Sequence, residues 1–408
     1  MSQSSVKKPP ILLLLTTIFL FAVSLSLVFP VLPFIVARYV PDAGQQGAVI
    51  GLLAATTSLL AFFGSPVLGA LSDAFGRRPV ILLTLLGSAL GYLFFGIGGS
   101  LAMLFIGRIV DGVAAGGMGA LFAYIADSTS EEERGTVFGR VGATVGAGMI
   151  VGPALGGLLA HFGTSAPVFV ASGLTLLTLL WAAFALPETL APENRQKDFQ
   201  ISHLNPLLQL RNALSHPLVR RLVTVNALFA LPFSLMQVAL PVMAKSLLHW
   251  GPGQVGTVFM LSGLCDIVGQ GVLLPYLIRW WGEGRVARAG LVLGVIGMTG
   301  LTLTPLKPLA VFVYASVLLF AIGEGIYTAC LATLLSLAIP AEEQGRVQGG
   351  AQAMGELAQA VGPLVSGQLY ARVGPTATFG TGAAVVAMVL GVLLSGPVGK
   401  SQQPEAAA

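Results

Sequence analysis

The chain has 408 residues, of which 55% are hydrophobic and 9% charged, with a formal net charge of +4. Charged residues make up about 25% of a soluble domain, so this composition excludes a water-soluble globular protein and points to a helical protein that crosses a membrane many times. The basic residues are scattered, which excludes a nucleic-acid-binding face. Cys265 and Cys330 both sit in apolar runs and read as small packing groups, not as a disulfide or a metal site.

Twelve apolar segments follow in order: 11–37, 47–72, 79–99, 101–127, 137–160, 166–186, 219–244, 254–278, 287–304, 309–338, 347–370 and 376–396. Each approaches or exceeds the ~20 residues that cross a bilayer. No small-residue cleavage site follows the first apolar run, so the first span is expected to be retained. The expected fold class is therefore an all-α membrane protein of 12 transmembrane helices. Short connections make neighbouring helices antiparallel, and the polar, proline-rich stretch 187–218 divides six spans from six. The expected organisation is residues 1–186 and 219–396 as two six-helix bundles, 187–218 as a linker with a short surface helix near Pro206–Leu214, and 397–408 as a tail. With the N-terminus inside, 16 of the Lys and Arg residues fall on the inner side and 4 on the outer, leaving Arg108 within the membrane. The positive-inside bias places both termini and the linker in the cytoplasm and the protein in the cell (inner) membrane.

The two halves repeat. A shift of 210 lays Glu132-Glu133, Gly135, Gly139, Gly152-Pro153 and Gly157 on Glu342-Glu343, Gly345, Gly349, Gly362-Pro363 and Gly367. A shift of 208 lays Phe21-Ala22 on Phe229-Ala230 and Leu32-Pro33 on Leu240-Pro241. Two pseudo-symmetric bundles related by a parallel repeat are a transporter architecture, with the substrate site near the midplane between them.

Between the second and third spans runs Gly69-Ala70-Leu71-Ser72-Asp73-Ala74-Phe75-Gly76-Arg77-Arg78-Pro79. It is a tight turn in which Asp73 can pair with Arg77, and Asp127 at the end of the fourth span offers Arg77 a second partner. Such a cluster can latch one face of the protein; a plain topology-setting turn needs only the arginines. The pattern resembles the signature G-x-L-x-D-x-x-G-R-[RK] of the major facilitator superfamily. That resemblance implies the major facilitator fold and a role for Gly69, Asp73, Gly76, Arg77, Arg78 and Asp127 in a cytoplasmic gate. The second-half counterpart is degraded, with Arg279 at the place of Asp73.

Within the fourth span Arg108 and Asp111 lie three residues apart, on one helix face. Charge at membrane depth marks function by default. Permanently charged Arg108 can keep Asp111 ionised when close and let it protonate when separated, or the two can form a static anchor between helices. The fifth span holds Gly148-x-x-x-Gly152-Pro153-x-x-Gly156-Gly157. Small residues four apart let helices approach closely, and Pro153 kinks the helix. This run is similar to the motif of drug/proton antiporters, and Leu104-x-x-x-Arg108-x-x-Asp111-Gly112 resembles another motif of that group, with Asp111 where an uncharged polar residue is usual. The stretch from Ala123 to Gly139 looks most like tetracycline-efflux and multidrug proteins. Those relatives often carry an acid in the first span nine residues before Pro-x-x-Pro; here that place is Phe21, before Pro30-Val31-Leu32-Pro33.

Four acids lie well within spans: Asp111, Asp266, Glu324 and Glu356. A carboxyl in low dielectric can exchange protons near neutral pH, so these four and Arg108 are the candidates for proton coupling and substrate binding. Glu356 stands where the first half has Gly146, which argues that it faces space. His161, His203, His216 and His249 lie in loops or at span ends, which disfavours a histidine relay or metal site. The resemblance further implies that Phe21, Met118, Phe122, Phe229, Phe233, Met236 and Gln237 lie on cavity-lining spans; ordinary lipid or helix contacts are the alternative for each.

The expected function is proton-coupled antiport exporting drug-like or amphipathic small molecules by alternating access. A metabolite, sugar or lipid carrier on the same fold is the alternative. An enzyme is not expected, since no H-E-x-x-H, G-x-S-x-G or Walker loop occurs. The expected partners are a small-molecule substrate, protons and the bilayer, with no cofactor beyond the coupling proton and no nucleic acid. The superfamily resemblance implies a monomer.

Overall fold

The structure, a computed structural model, describes residues 11–195, 217–337 and 344–395. The surface helix expected near Pro206–Leu214 and the tail 397–408 lie outside them. The described elements are helical, with no strand among them. In chain order the helices are α1 (Ile11–Ser26), α2 (Leu32–Val36), α3 (Ala43–Phe75), α4 (Arg77–Ile97), α5 (Leu101–Ala115), α6 (Met118–Ser128), α7 (Glu131–Leu159), α8 (Ala166–Ala185), α9 (Pro217–Leu248), α10 (Pro252–Val268), α11 (Leu274–Trp281), α12 (Glu283–Leu303), α13 (Ala310–Leu337) and α14 (Gln344–Leu394). Ten helical segments among the described residues are long and apolar enough to cross a membrane, and α1 is a shorter apolar helix. The chain is a multi-pass membrane protein.

Local chemistry sets the boundaries. Asp42 and Ser100 cap α3 and α5, accepting from the Gln45 amide at 2.8 Å and the Met103 amide at 3.2 Å. The first span is not continuous over 11–37: α1 ends at Ser26 and α2 begins at Leu32. Pro30 and Pro33 in this stretch have no N–H to donate to a helix. The fourth span also breaks, at Gly116-Gly117 between α5 and α6. Within α14, Gly374 has φ +73° and ψ 178°, a backbone that glycine tolerates, so one helix stops there and another starts. Between α10 and α11, residues Gly269–Leu273 form a π turn, closed by the Leu274 amide donating to the Gly269 carbonyl.

The first-half helices pack α1 on α7 and α8, α3 on α5, and α4 on α5 and α8; in the second half α9 packs on α14 and α12 on α13 and α14. Between the halves α9 makes smaller contacts to α3 and α2, and two helix pairs make the main ones, α3 with α14 and α7 with α10. Their close approaches are pseudo-symmetric. A Cβ added to Gly256 would lie 2.5 Å from the Pro153 carbonyl oxygen and 3.2 Å from Gly157 Cα; one added to Gly51 would run into the Pro363 carbonyl and lie 3.1 Å from Gly367 Cα. Each half thus offers a Gly-Pro-x-x-x-Gly stretch to a glycine of the other. Lys245 adds a polar tie across this end, donating to Gln46 Oε1 at 3.1 Å.

Toward the end that carries Arg77, Arg78, Arg279 and Arg285 the described glycines do not meet the other half. Gly69, Gly139, Gly142, Gly271 and Gly355 have no described atom within 4 Å of a Cβ position. The close glycine contacts that seal the halves together lie toward the end opposite these arginines: Gly44, Gly47, Gly51 and Gly367 between α3 and α14, and Gly157 and Gly256 between α7 and α10.

Candidate functional site

A cavity of about 350 Å³ lies between the halves. From α7 it is lined by Gly142, Gly146, Met149 and Pro153; from α9 by Phe233, Met236 and Gln237; from α10 by Phe259, Ser262 and Asp266; from α13 by Phe320 and Glu324. The spacing explains why these side chains converge. Residues 233/236/237, 259/262/266 and 320/324 each fall on one face of their helix. None of the lining residues is Lys, Arg or His.

Asp266 and Glu324 face this cavity from adjacent helices and interact electrostatically. Asp266 Oδ1 accepts from Gln270 Nε2 at 2.8 Å, and Gln270 stands in the π turn. π turns inside helices concentrate at functional sites. Gly325 lets the Asp266 carboxylate lie directly against α13, where a Cβ would collide with it.

The remaining candidate residues fall elsewhere. Arg108 and Asp111 are not among the cavity's lining residues. Their ion pair, 3.5 Å from Nη1 to Oδ2, is buried between α5 and α4 inside the first half, with Arg108 over the Phe95 ring at 4.4 Å. Asp111 is 3% exposed, with the Ser88 side chain close by. The helices meet backbone to backbone here, since a Cβ on Gly91 would lie 2.7 Å from Asp111 Cβ and 2.8 Å from the Gly107 carbonyl. This geometry fits an anchor. Asp111→Ala should lower stability by about 3–5 kcal/mol by leaving Arg108 uncompensated, read as a fall in Tm in detergent. The double change Arg108→Leu/Asp111→Leu should recover most of the loss, whereas no recovery would argue that the pair does more than hold the helices together.

Phe21 and Met118 line a separate pocket of about 30 Å³ within the first half. Phe122 is 40% exposed and stacks on Phe138. Phe229 is buried behind the cavity wall, stacked on Phe320 at 5.9 Å between ring centres, so it braces a lining residue without lining the cavity itself. The side chain of Glu356 lies outside the described residues. Sequence reasoning missed Phe29, Met149, Phe259, Ser262 and Phe320; helical spacing from Asp266 and Glu324 would have found three of these five.

The glycine run of α7 serves two faces. Gly148 and Gly152 admit α1, where Ser26 donates to the Gly148 carbonyl at 3.1 Å, and Gly156 admits the turn after it at Leu27 and Pro30. Gly157 meets Gly253, and Pro153 meets Gly256. The second half repeats the first contact, with Ser234 facing Gly362 as Ser26 faces Gly152.

At the arginine-rich end, Arg77 pairs with both Asp73 and Asp127, the latter at 3.0 Å. Glu188 completes the cluster: its carboxylate accepts from the backbone amides of Arg77 at 2.9 Å and Arg78 at 3.2 Å, and from Thr189 and Leu190 at 3.0 Å each. An acid at the N-terminus of α4 is favoured by the free amides and the helix dipole. Gly76, at φ +110°, makes the close approach to Glu188 possible. Glu188→Ala should destabilise by roughly 1–3 kcal/mol by leaving these amides unserved, with loss of proteolytic resistance near the Gly76 turn as the readout; unchanged cleavage and Tm would remove Glu188 from the cluster.

The profile described as the Major Facilitator Superfamily matches residues 14–363 and 222–408. The chain belongs to that superfamily. The second match, starting near the middle of the chain, fits the internal repeat. The chain is 31% identical over 361 residues to the class C tetracycline resistance protein of Escherichia coli, covering 88% of this chain and 89% of that one. It is 27% identical over 366 residues to multidrug resistance protein 2 of Bacillus subtilis, covering 89% of each. Among solved structures, a human organic anion transporter, MFSD10, superposes with a TM-score of 0.70 at 24% identity, over 96% of this chain and 100% of that one. This last likeness concerns the fold alone.

Proposed function

We propose that this superfamily member is a secondary transporter that exports amphipathic, drug-like small molecules in exchange for protons. The observation that carries the reading is the pair Asp266 and Glu324 in a cavity lined mainly by Phe, Met, Gly and other apolar groups, between two halves whose close glycine contacts lie at one end. Aromatic and Met side chains suit bulky apolar bodies, and the carboxyls supply sites that a proton and a substrate can occupy in turn. The names of the tetracycline and multidrug relatives agree with this direction. Neutral hydrogen-bonding groups in the lining are few, chiefly Gln237 and Ser262, which disfavours a sugar carrier.

In this reading the chain makes twelve passes, as bundles 1–186 and 219–396 joined by a cytoplasmic linker, 187–218, with both termini and the tail 397–408 in the cytoplasm. The end opposite the glycine contacts is then cytoplasmic, and the structure represents the inward-facing arrangement. The cluster of Asp73, Arg77, Asp127 and Glu188 lies at the inner gate, and the proton is the coupling ion of a working monomer. Purified protein in liposomes tests this. Substrate movement should dissipate an imposed pH gradient, and the gradient should drive substrate uphill. A panel of drug-like compounds that neither dissipates nor responds to the gradient would sink the reading.

A further inference from the structure

The span formed by α10, the π turn and α11 covers less of itself than any other described span: 11% of its most apolar stretch is buried, against 28–67% in the other nine. Its exposed side changes chemistry along its length. Leu264, Val268, Val272, Tyr276 and Trp280 recur every four residues and are all exposed, Trp280 by 73%. Residues four apart are neighbours on a helix surface, so they form one stripe, and none of them lines the cavity. Trp281 and the exposed Arg279 end the helix, and the exposed Arg285 follows beyond the Gly282 turn, in the first turn of α12. Aliphatic groups, then aromatic rings, then cations is the order of layers from the hydrocarbon core of a bilayer to its headgroups. At the corresponding place in the first half the charges are satisfied internally, with Arg77 paired to Asp73 and Asp127. In the second half the signs are exchanged: Arg279 stands where Asp73 does, and Glu283 where Arg77 does. Glu283 opens α12, where the helix dipole favours an acid. Among the described residues neither Arg279 nor Arg285 forms an ion pair.

We propose that the end of α11 and the start of α12 bind an anionic phospholipid of the surrounding bilayer, with Arg279 and Arg285 on its phosphate headgroup. Tyr276 and Trp280 stand at the level of the glycerol backbone, and an acyl chain runs along Val272, Val268 and Leu264. Charge complementarity selects this occupant. A guanidinium matches a phosphate with two parallel hydrogen bonds. A zwitterionic lipid brings a cation of its own, which two arginines with one acid, Glu283, between them in sequence do not reward. A soluble phosphate satisfies the arginines but leaves the rings and the aliphatic stripe unused. Each basic residue near an anionic headgroup layer strengthens binding by about fivefold. The lipid thereby distinguishes two halves that are otherwise pseudo-symmetric, since Arg77 is already engaged by carboxylates of its own half. The inference is independent of what the protein carries.

The test uses the full-length protein in phosphatidylcholine liposomes and reads tryptophan fluorescence. Of the four tryptophans, Trp181 and Trp250 are changed to Phe, which leaves Trp280 and Trp281 as reporters. Phosphatidylglycerol with brominated chains is compared with brominated phosphatidylcholine at the same fraction, since bromine quenches only tryptophans it touches. The anionic lipid should quench with a relative binding constant at least about fivefold higher, and the preference should shrink as salt is raised. Arg279→Gln/Arg285→Gln should bring the two lipids to parity, Arg279→Lys/Arg285→Lys should keep part of the preference, and Arg140→Gln, which removes an exposed arginine of α7, should leave it whole. Glycerol 3-phosphate in the buffer should not reverse the quenching. Equal quenching by the two lipids, a preference indifferent to salt, or one that survives the double Gln change overturns the proposal. So does its loss in Arg140→Gln, which would make it a property of general surface charge, and so does reversal by glycerol 3-phosphate, which would make the site one for soluble phosphates. The salt series needs no arginine variant, so the proposal stays falsifiable if the double change fails to fold.

Discussion

Gly256→Val will hold apart the end of the molecule that is sealed here, and Gly51→Val will do the same from the pseudo-symmetric position. At both sites an added Cβ meets backbone, not the end of a flexible side chain: the Pro153 carbonyl and Gly157 Cα in one case, the Pro363 carbonyl and Gly367 Cα in the other. Overpacking of this kind costs about 1–3 kcal/mol. At 1.4 kcal/mol per tenfold, each change shifts the ratio of sealed to open arrangements by roughly five- to a hundredfold. Spin labels at Pro41 and Arg372, on cysteines introduced into a background lacking Cys265 and Cys330, read the sealed end; labels at exposed Phe75 and Trp280 read the other. The first pair should separate and the second approach. Gly69→Val provides the opposite sign. Gly69 has open space beside it in the present arrangement, so valine fits here and obstructs closure of the arginine-rich end. Gly173→Val, also in open space but on α8, should leave both distances unchanged. If Gly256→Val folds normally and leaves both distances where they were, the glycine seal does not govern the equilibrium.

The seal also shows how much of this fold was legible beforehand. The repeat at offset 210 paired Gly152-Pro153 with Gly362-Pro363, and the structure gives the two runs the same task. The offset of 208 carries Ser26 onto Ser234, and each serine faces the equivalent glycine. Periodicity and repeat registered these positions because both depend on residue size and spacing along one helix. The breaks were harder to see. Pro30 and Pro33 were visible, but hydropathy does not distinguish a kinked span from two short helices. Gly116-Gly117 sits inside one long apolar run, where hydropathy shows no break.

The site was legible in its residue types and less so in its geography. Asp266 and Glu324 stood out as acids in apolar runs, and the structure sets them together. Arg108 and Asp111 stood out for the same reason, yet they are buried inside one half. A charge at membrane depth announces that it has a partner. It does not announce whether that partner is a ligand or another side chain. In the sequence Glu188 belongs to a polar linker, and only the fold brings it back to the amides of Arg77 and Arg78.

Glu324→Gln is expected to abolish gradient-driven transport and leave exchange intact. Two carboxyl groups in one apolar cavity favour holding a single proton between them, because like charges so placed oppose each other's ionisation. Asp266 already receives Gln270, whereas the Glu324 carboxyl receives no side-chain donor among the described residues. Glu324 is thus the group left to carry the proton while Asp266 meets the substrate. Glutamine keeps the size and polarity of a protonated glutamic acid and fixes the neutral state. A carrier fixed in that state can still move its substrate in both directions, so counterflow of labelled against unlabelled compound across liposomes should stay near the unmodified rate. Uphill transport driven by a pH gradient should fall to the level of protein-free liposomes, since no proton is taken up or released on the return. Asp266→Asn should differ by losing both activities together, because it removes the contact to substrate. Retained uphill transport in Glu324→Gln would move the coupling proton to another carboxyl, and Asp111 would then be tested by the same pair of assays.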